Sequence, residues 1–368
     1  MPQTIGNKSY YSKNNFDLIR LIAALQVVLV HAIDDLHIQS FARFESIIEY
    51  FPGVPAFFFI SGFLIKAAWE RNPNVRLFYG NRAYRILPAL WASVIVAIIT
   101  LVLFFDRGVL AANAKQFALW VVGQATIGQV WTPGFLRAYG IGAVNGSLWT
   151  IPVELSFYAV LPLMAWLFAR RVNPNWFLPI VIVASFAINY AVALWTPANP
   201  RMIFGQQLLM ASPIPWIGMF CMGMLVQTNI DKLYAFFAGR AWIFLVVFVV
   251  VSILSATFPV YPLLSGPTAV VGGGNRIGVA NYLSICALVL SAAYSFRGAS
   301  DRLLRRNDLS YGLYISHALV INVVVQEGIL GMNGFSIVMP VVVALAVVSW
   351  VFLEKPMLGR RKASLYRH

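Results

Sequence analysis

His31 and Glu154 are the residues of this sequence best suited to moving a proton near neutral pH, and Arg20, Arg82 and Arg85 those best suited to gripping a phosphate. Arg20 and His31 are eleven residues apart. In a helix that spacing is three turns plus about 20°, so both project from one side, about 16 Å apart along the axis. Arg82 and Arg85, in the segment Arg76 to Pro88, are three residues apart and share a helix face. Such a pair can clamp phosphate oxygens bidentately. The plainer reading of all three arginines is charge anchoring at a membrane surface, with Arg20 snorkelling.

Glu154 follows Gly146-Ser147-Leu148-Trp149-Thr150-Ile151-Pro152-Val153, about 10 Å into an apolar run and near the depth estimated for His31. An unpaired carboxylate there would cost several kcal/mol or take up a proton. It therefore reads either as a partner of Trp149, Tyr158 or a basic side chain, or as the acid that orients a His31 base. For His31 the plainer reading is a helix-packing hydrogen bond. Ser61-Gly62 reads first as a close helix contact, and His317 as a histidine held by Ser310, Tyr311 or Tyr314 or as part of the same cavity.

The elements that must position these residues are membrane helices. Of the 368 residues 60% are hydrophobic and only 11% charged, with a mean hydropathy of +0.75. Soluble domains carry roughly 25% charged residues, so a soluble fold is excluded. Runs able to cross about 30 Å of hydrocarbon occur near 16–36, 51–69, 86–106, 148–169, 176–195, 207–228, 241–259, 277–296, 309–330 and 335–353. The expected fold is an all-α, polytopic transmembrane bundle of about ten helices, a single domain over 1–368 with no appended soluble domain. The stretch 114–131, broken by Gly123 and Gly128, reads as interfacial or re-entrant.

Placing both termini in the cytoplasm puts 21 of the 27 Lys and Arg residues inside and gathers Asp34, Asp35, Glu45 and Glu49 in the first outer loop. This is the asymmetry that the positive-inside rule requires. The net charge of +14 is scattered between apolar runs, which speaks against nucleic acid as a partner. Cys221 and Cys286 lie inside apolar stretches without metal-ligand spacing, so neither a disulfide nor a metal site is expected. The first apolar run has no cleavage site and reads as a retained helix. Trp131, Phe135, Tyr139 and Trp195 in the outer loops suit sugar stacking or interfacial anchoring. A proton-coupled transporter or flippase for an anionic solute would use the same arginines and the same acid and base. The lack of an internal repeat speaks against it.

Taken in order, several segments resemble the acyltransferase-3 family of membrane acyltransferases. They are Asn15-Phe16-Asp17-Leu18-Ile19-Arg20 with His31-Ala32, Phe57 to Leu64, and Phe78 to Pro88. Further on come Ser147-Leu148-Trp149 with Glu154 to Tyr158, Ser310 to Tyr314 with His317, and Phe352-Leu353-Glu354-Lys355-Pro356. The resemblance implies a bacterial cytoplasmic (inner) membrane enzyme that takes an acyl group, usually acetyl, from cytoplasmic acyl-CoA to a hydroxyl of a surface or lipid-linked glycan. Its partners would be acyl-CoA, that acceptor and membrane lipids, with no tightly bound cofactor. It also implies His31 and Glu154 as catalytic and Arg20, Arg82 and Arg85 as acyl-CoA ligands. Asp17, Ser61, Trp149, Tyr158, Tyr311 and His317 are candidates to line the cavity. Leu155 stands where many members place a second acidic residue, which favours a single-carboxylate scheme.

Overall fold

A computed structural model describes residues 14–195, 198–210, 212–260, 263–264, 270–271, 274–275, 277–296, 298–305 and 307–359. In chain order the helices are α1 (Phe16–Asp35), α2 (Ala42–Ile48), α3 (Gly53–Arg71), α4 (Val75–Phe104), α5 (Arg107–Ala112), α6 (Ala114–Ala125), α7 (Thr150–Ala169) and α8 (Pro174–Leu194). They continue as α9 (Pro200–Met210), α10 (Ile217–Thr228), α11 (Ile230–Phe237), α12 (Ala241–Thr257), α13 (Val279–Tyr294), α14 (Ala299–Leu304), α15 (Ser310–Gln326) and α16 (Gly331–Ser349). Among the described residues the β structure is one antiparallel pair of two-residue strands, β1 (Val270–Val271) and β2 (Gly274–Asn275).

The chain is all-α and multi-pass. Six segments are long and apolar enough to cross a bilayer: Phe16–Asp35, Gln39–Arg71, Val75–Phe104, Gly146–Ala169, Pro174–Val192 and Gly331–Gly359. α11 and α12, bent by 88°, make a seventh if taken as one span. α10, α13 and α15 are apolar but shorter, with 12, 16 and 17 residues. α6 has 12 residues and rises only about 18 Å, too short to span. α4, at 30 residues, rises about 45 Å and so outruns the hydrocarbon. Arg82 and Arg85 lie in its first half, ahead of the apolar stretch that runs from Ile86 to Phe104.

Local chemistry sets several of these boundaries. Asp106 caps α5 by accepting from the backbone N–H of Gly108 and Val109. Asn173 caps α8 by accepting from Asn175, with Pro174 in the first turn, where its missing N–H costs nothing.

The chain forms two compact units. One comprises 1–23, 46–74 and 153–306, the other 24–45, 75–152 and 307–368, so α1 and α7 each contribute to both. In the first unit α3 packs on α10 and α10 on α8. A Cβ on Gly62 would lie 1.9 Å from the Phe220 carbonyl oxygen, and one on Gly223 2.0 Å from that of Phe59, so this crossing requires glycine on both helices. Phe157 stacks on Phe220 and meets Phe58 edge-on, at centroid distances of 4.8 and 5.2 Å. Asn15 holds the start of α1 by donating to the Ser295 carbonyl at 2.6 Å and accepting from the Ser300 N–H at 3.0 Å.

In the second unit α15 packs against α16 and α4. Thirteen of its 17 residues are buried, the pattern of a helix surrounded by protein. The segment after α6 closes over Ala97, Leu101, Trp120, Leu136, Val144 and Leu319. Tyr139 is fully buried in that cluster and so packs in the core, where it neither stacks on a sugar nor anchors at an interface.

Candidate active site

The second unit brings together two histidines 286 positions apart in the sequence: His31 Nδ1 lies 2.8 Å from His317 Nε2. The rings are tilted by 33° with centroids 5.1 Å apart. His31 sits on α1, half-buried, while His317 on α15 is fully buried. The Tyr314 ring meets His317 edge-on at 5.8 Å. Thr150 donates to the Tyr314 hydroxyl at 3.0 Å. Asn145 donates to the Ile315 carbonyl at 2.9 Å and accepts from Ser147 Oγ at 2.7 Å. These bonds lock the middle of α15 against the segment before α7, and with it the His317 ring.

Further along α15, Asn322 is completely buried. Its amide oxygen accepts from the Ile141 N–H at 2.9 Å, and its amide nitrogen donates to the carbonyls of Ala143 and Ala318 at 3.0 and 2.8 Å. The Asn322 side chain leaves no room for a Cβ on Gly140, where φ is +55°.

At the start of α15, Arg85 Nη2 donates to Asp308 Oδ2 at 2.7 Å. Asp308 Oδ1 in turn accepts from Ser310 Oγ at 2.5 Å and from the Ser310 N–H at 3.2 Å. Tyr311 donates to the Ile86 carbonyl at 3.1 Å. Arg85 is thus fastened to the helix that carries His317. The Arg82 guanidinium lies 5.8 Å from the Phe78 ring centroid. Beyond α16 a π-helical turn, Trp350–Glu354, buries Glu354 as an acceptor from Ser349 Oγ at 2.8 Å, and Trp350 donates to Asn307 at 2.8 Å.

In the first unit, Glu154 accepts from Ser61 Oγ at 3.4 Å and from the Tyr158 hydroxyl. Ser61 and Tyr158 are buried and Glu154 half-buried. Lys66 donates to Glu70 and, at 2.6 Å, to Gln227, which itself donates to Glu70 at 2.6 Å. Arg20 is buried on α1, Asp17 is exposed one turn earlier, and Trp149 is half-buried.

The expected residues therefore fall into three groups, each within one unit: His31 with His317; Arg85 and Tyr311 at the junction of α4 and α15; and Glu154 with Ser61 and Tyr158. Sequence reasoning missed Asp308, Asn145, Asn322 and the Lys66–Glu70–Gln227 cluster. A signal existed for Asn322, the one amide inside the apolar run Ala318 to Val325, and for Asp308, an acid two residues ahead of a helix-starting serine. Among the described residues no group of three or more His, Cys, Asp or Glu side chains is arranged to hold a metal ion.

The family model for the acyltransferase domain of the acyltransferase-3 type matches residues 13–354, a range that includes every site residue named above. Nodulation protein 10 of Rhizobium leguminosarum bv. viciae is 31% identical over 372 residues, covering 96% of both chains. The peptidoglycan O-acetyltransferase OatA of Listeria monocytogenes is 26% identical over 181 residues, 46% of this chain and 26% of its own. The O-acetyl transferase of Shigella phage Sf6 is 31% identical over 157 residues, 41% of this chain and 45% of its own. No solved structure matches the chain.

Proposed function

The chain belongs to the acyltransferase-3 family of membrane acyltransferases, and on that premise we propose that it is an O-acetyltransferase carrying acetyl from cytoplasmic acetyl-CoA to a hydroxyl of a cell-surface or lipid-linked glycan. The observation that carries this reading is a half-buried histidine, His31, on the same membrane helix as the buried Arg20, with one ring nitrogen already engaged by His317. The names of the Listeria and phage relatives support acetyl as the group moved, and the former supports a glycan as its acceptor.

In this reading ten helices cross a bacterial cytoplasmic membrane with both termini inside. The six long segments, the bent α11 and α12 pair and the shorter α10, α13 and α15 supply them. Arg82 and Arg85, with Arg20, bind the CoA phosphates at the cytoplasmic mouth. The pantetheine arm runs along α1, whose roughly 16 Å between Arg20 and His31 suits its extended length. His31 Nε2 takes the proton of the acceptor hydroxyl as its oxygen attacks the thioester carbonyl. The C–S bond then breaks, and the proton passes to the departing thiolate to give free CoA. Glu154, held by Ser61 and Tyr158, keeps the acidic role that the family resemblance assigns to it.

The test is purified protein with labelled acetyl-CoA and extracted cell-envelope glycan. Label should appear in the glycan, and His31→Ala should lower its rate about 100-fold or more. Undiminished transfer by that variant sinks the catalytic assignment. Proton-coupled flux of an anion without any acetyl transfer would favour a transporter.

A further inference from the structure

The two nitrogens of His317 face different partners. Nε2 meets His31, whereas Nδ1 is buried and makes no hydrogen bond of ordinary geometry; the ring lies beside the backbone of Leu313 and Tyr314, one turn earlier on α15, whose outward-facing polar groups there are carbonyl oxygens. Carbonyl oxygens only accept, so the proton of a neutral His317 ring belongs on Nδ1, where a lone pair would be repelled. Its Nε2 then presents a lone pair to His31 and requires the proton of His31 on Nδ1. That leaves the lone pair of His31 on Nε2, in the form a general base needs.

Burial decides which histidine meets substrate. His317 is fully enclosed, and its ring is fixed by Tyr314, which Thr150 holds through its hydroxyl. His31 retains exposed surface. We infer that His317 is a positioning residue of the transfer: its Nε2 accepts from His31 Nδ1–H, fixing the tautomer and ring orientation so that His31 Nε2 faces the acceptor hydroxyl. When the acceptor proton reaches Nε2, the Nδ1 proton stays in place and the hydrogen bond to His317 shares the positive charge until the thiolate takes the proton from Nε2. The sequence reading gave this orienting role to Glu154; the inference moves it to a second imidazole and rests on the acyltransferase reading.

Three variants test it with labelled acetyl-CoA and extracted envelope glycan. Leucine at 317 fills similar space without an acceptor, glutamine places an amide oxygen near the position of Nε2, and asparagine places its amide about one bond short of His31. His317→Leu is expected to lower kcat about 10- to 100-fold, in line with losses of groups that orient a reacting side chain. The KM for acetyl-CoA should stay within about twofold, since His317 touches no substrate. His317→Gln should recover about tenfold over His317→Asn. These two amides are alike in polarity, so their difference still decides the matter if the leucine variant does not fold. Wild-type turnover in His317→Leu, or equal rates for the two amides, overturns the role of His317 and leaves the acyltransferase reading standing. A wild type that transfers no acetyl overturns both.

A second readout needs no acyl donor. Diethyl pyrocarbonate acylates a neutral imidazole at its free nitrogen, and His31 in the wild type should be modified several-fold faster than in His317→Leu, with His317→Gln closer to the wild type. Equal modification rates in all three proteins overturn the positioning role.

Discussion

Arg85 on α4 and Asp308 at the entry to α15 are joined by a 2.7 Å ion pair, which ties the arginine expected to hold a donor phosphate to the base of the helix that bears His317. Asp308 also binds the first residue of α15 through both its Oγ and its N–H. The Arg85 turn of α4 and the entry to α15 are therefore braced together, and the Arg82 guanidinium, one turn earlier on α4, lies 5.8 Å from the Phe78 ring centroid.

Arg82→Ala and Asp308→Asn should separate binding from bracing. Loss of a charge-assisted hydrogen bond costs about 1.5–3 kcal/mol, so Arg82→Ala should raise the KM for acetyl-CoA about 10- to 100-fold with little change in kcat. Asp308→Asn keeps every arginine and weakens a pair whose side chains are 32% and 13% exposed, so it should lower the melting temperature and leave that KM near the wild-type value. Steady-state kinetics with detergent thermal melts check both.

Asn322→Leu should destabilise the second unit without touching substrate. The Ile141 N–H and the Ala143 carbonyl lose their side-chain partner, and each buried group left unpaired costs about 1–3 kcal/mol. A lowered melting temperature in detergent is the expected result; an unchanged one means that these groups find other partners.

Gly62→Ala should impair folding more than its single methyl group suggests. The added Cβ would stand 1.9 Å from a backbone oxygen of α10, so the helices must separate. Overpacking by even small groups costs about 1–3 kcal/mol, and a main-chain obstacle cannot turn aside. Monodisperse yield by size-exclusion chromatography should fall sharply, and that of Gly223→Ala with it.

Single cysteines test the topology. Ser40 precedes α3 and Asn74 follows it, both exposed, and native Cys221 and Cys286 are buried. With both termini inside, a membrane-impermeant maleimide added to intact cells should label Ser40→Cys and spare Asn74→Cys until the membrane is opened. Labelling of both from outside removes the proposed orientation.

Much of the site was visible residue by residue. His31, His317, Ser61 and Glu154 stood out as polar groups at depth, because such groups are costly in hydrocarbon unless packed against something, and Arg85 as a basic residue at a membrane entry. Their pairing was not visible. The sequence sets Glu154 near His31 only through a shared estimated depth, and depth is one coordinate of three. In its unit Glu154 meets Ser61 and Tyr158, and in its own unit His31 meets His317.

Sequence by itself determined the class of molecule, its helical multi-pass character and the common face of Arg20 and His31, since each depends only on local composition and a period of 3.6 residues. The tertiary structure alone decided which helices adjoin, and so that a histidine from α15 meets one from α1. That choice rests on close contacts between distant segments, such as Gly62 against Phe220 and Asn322 against Gly140 and Ile141. Hydropathy along one chain carries no record of which faces fit together.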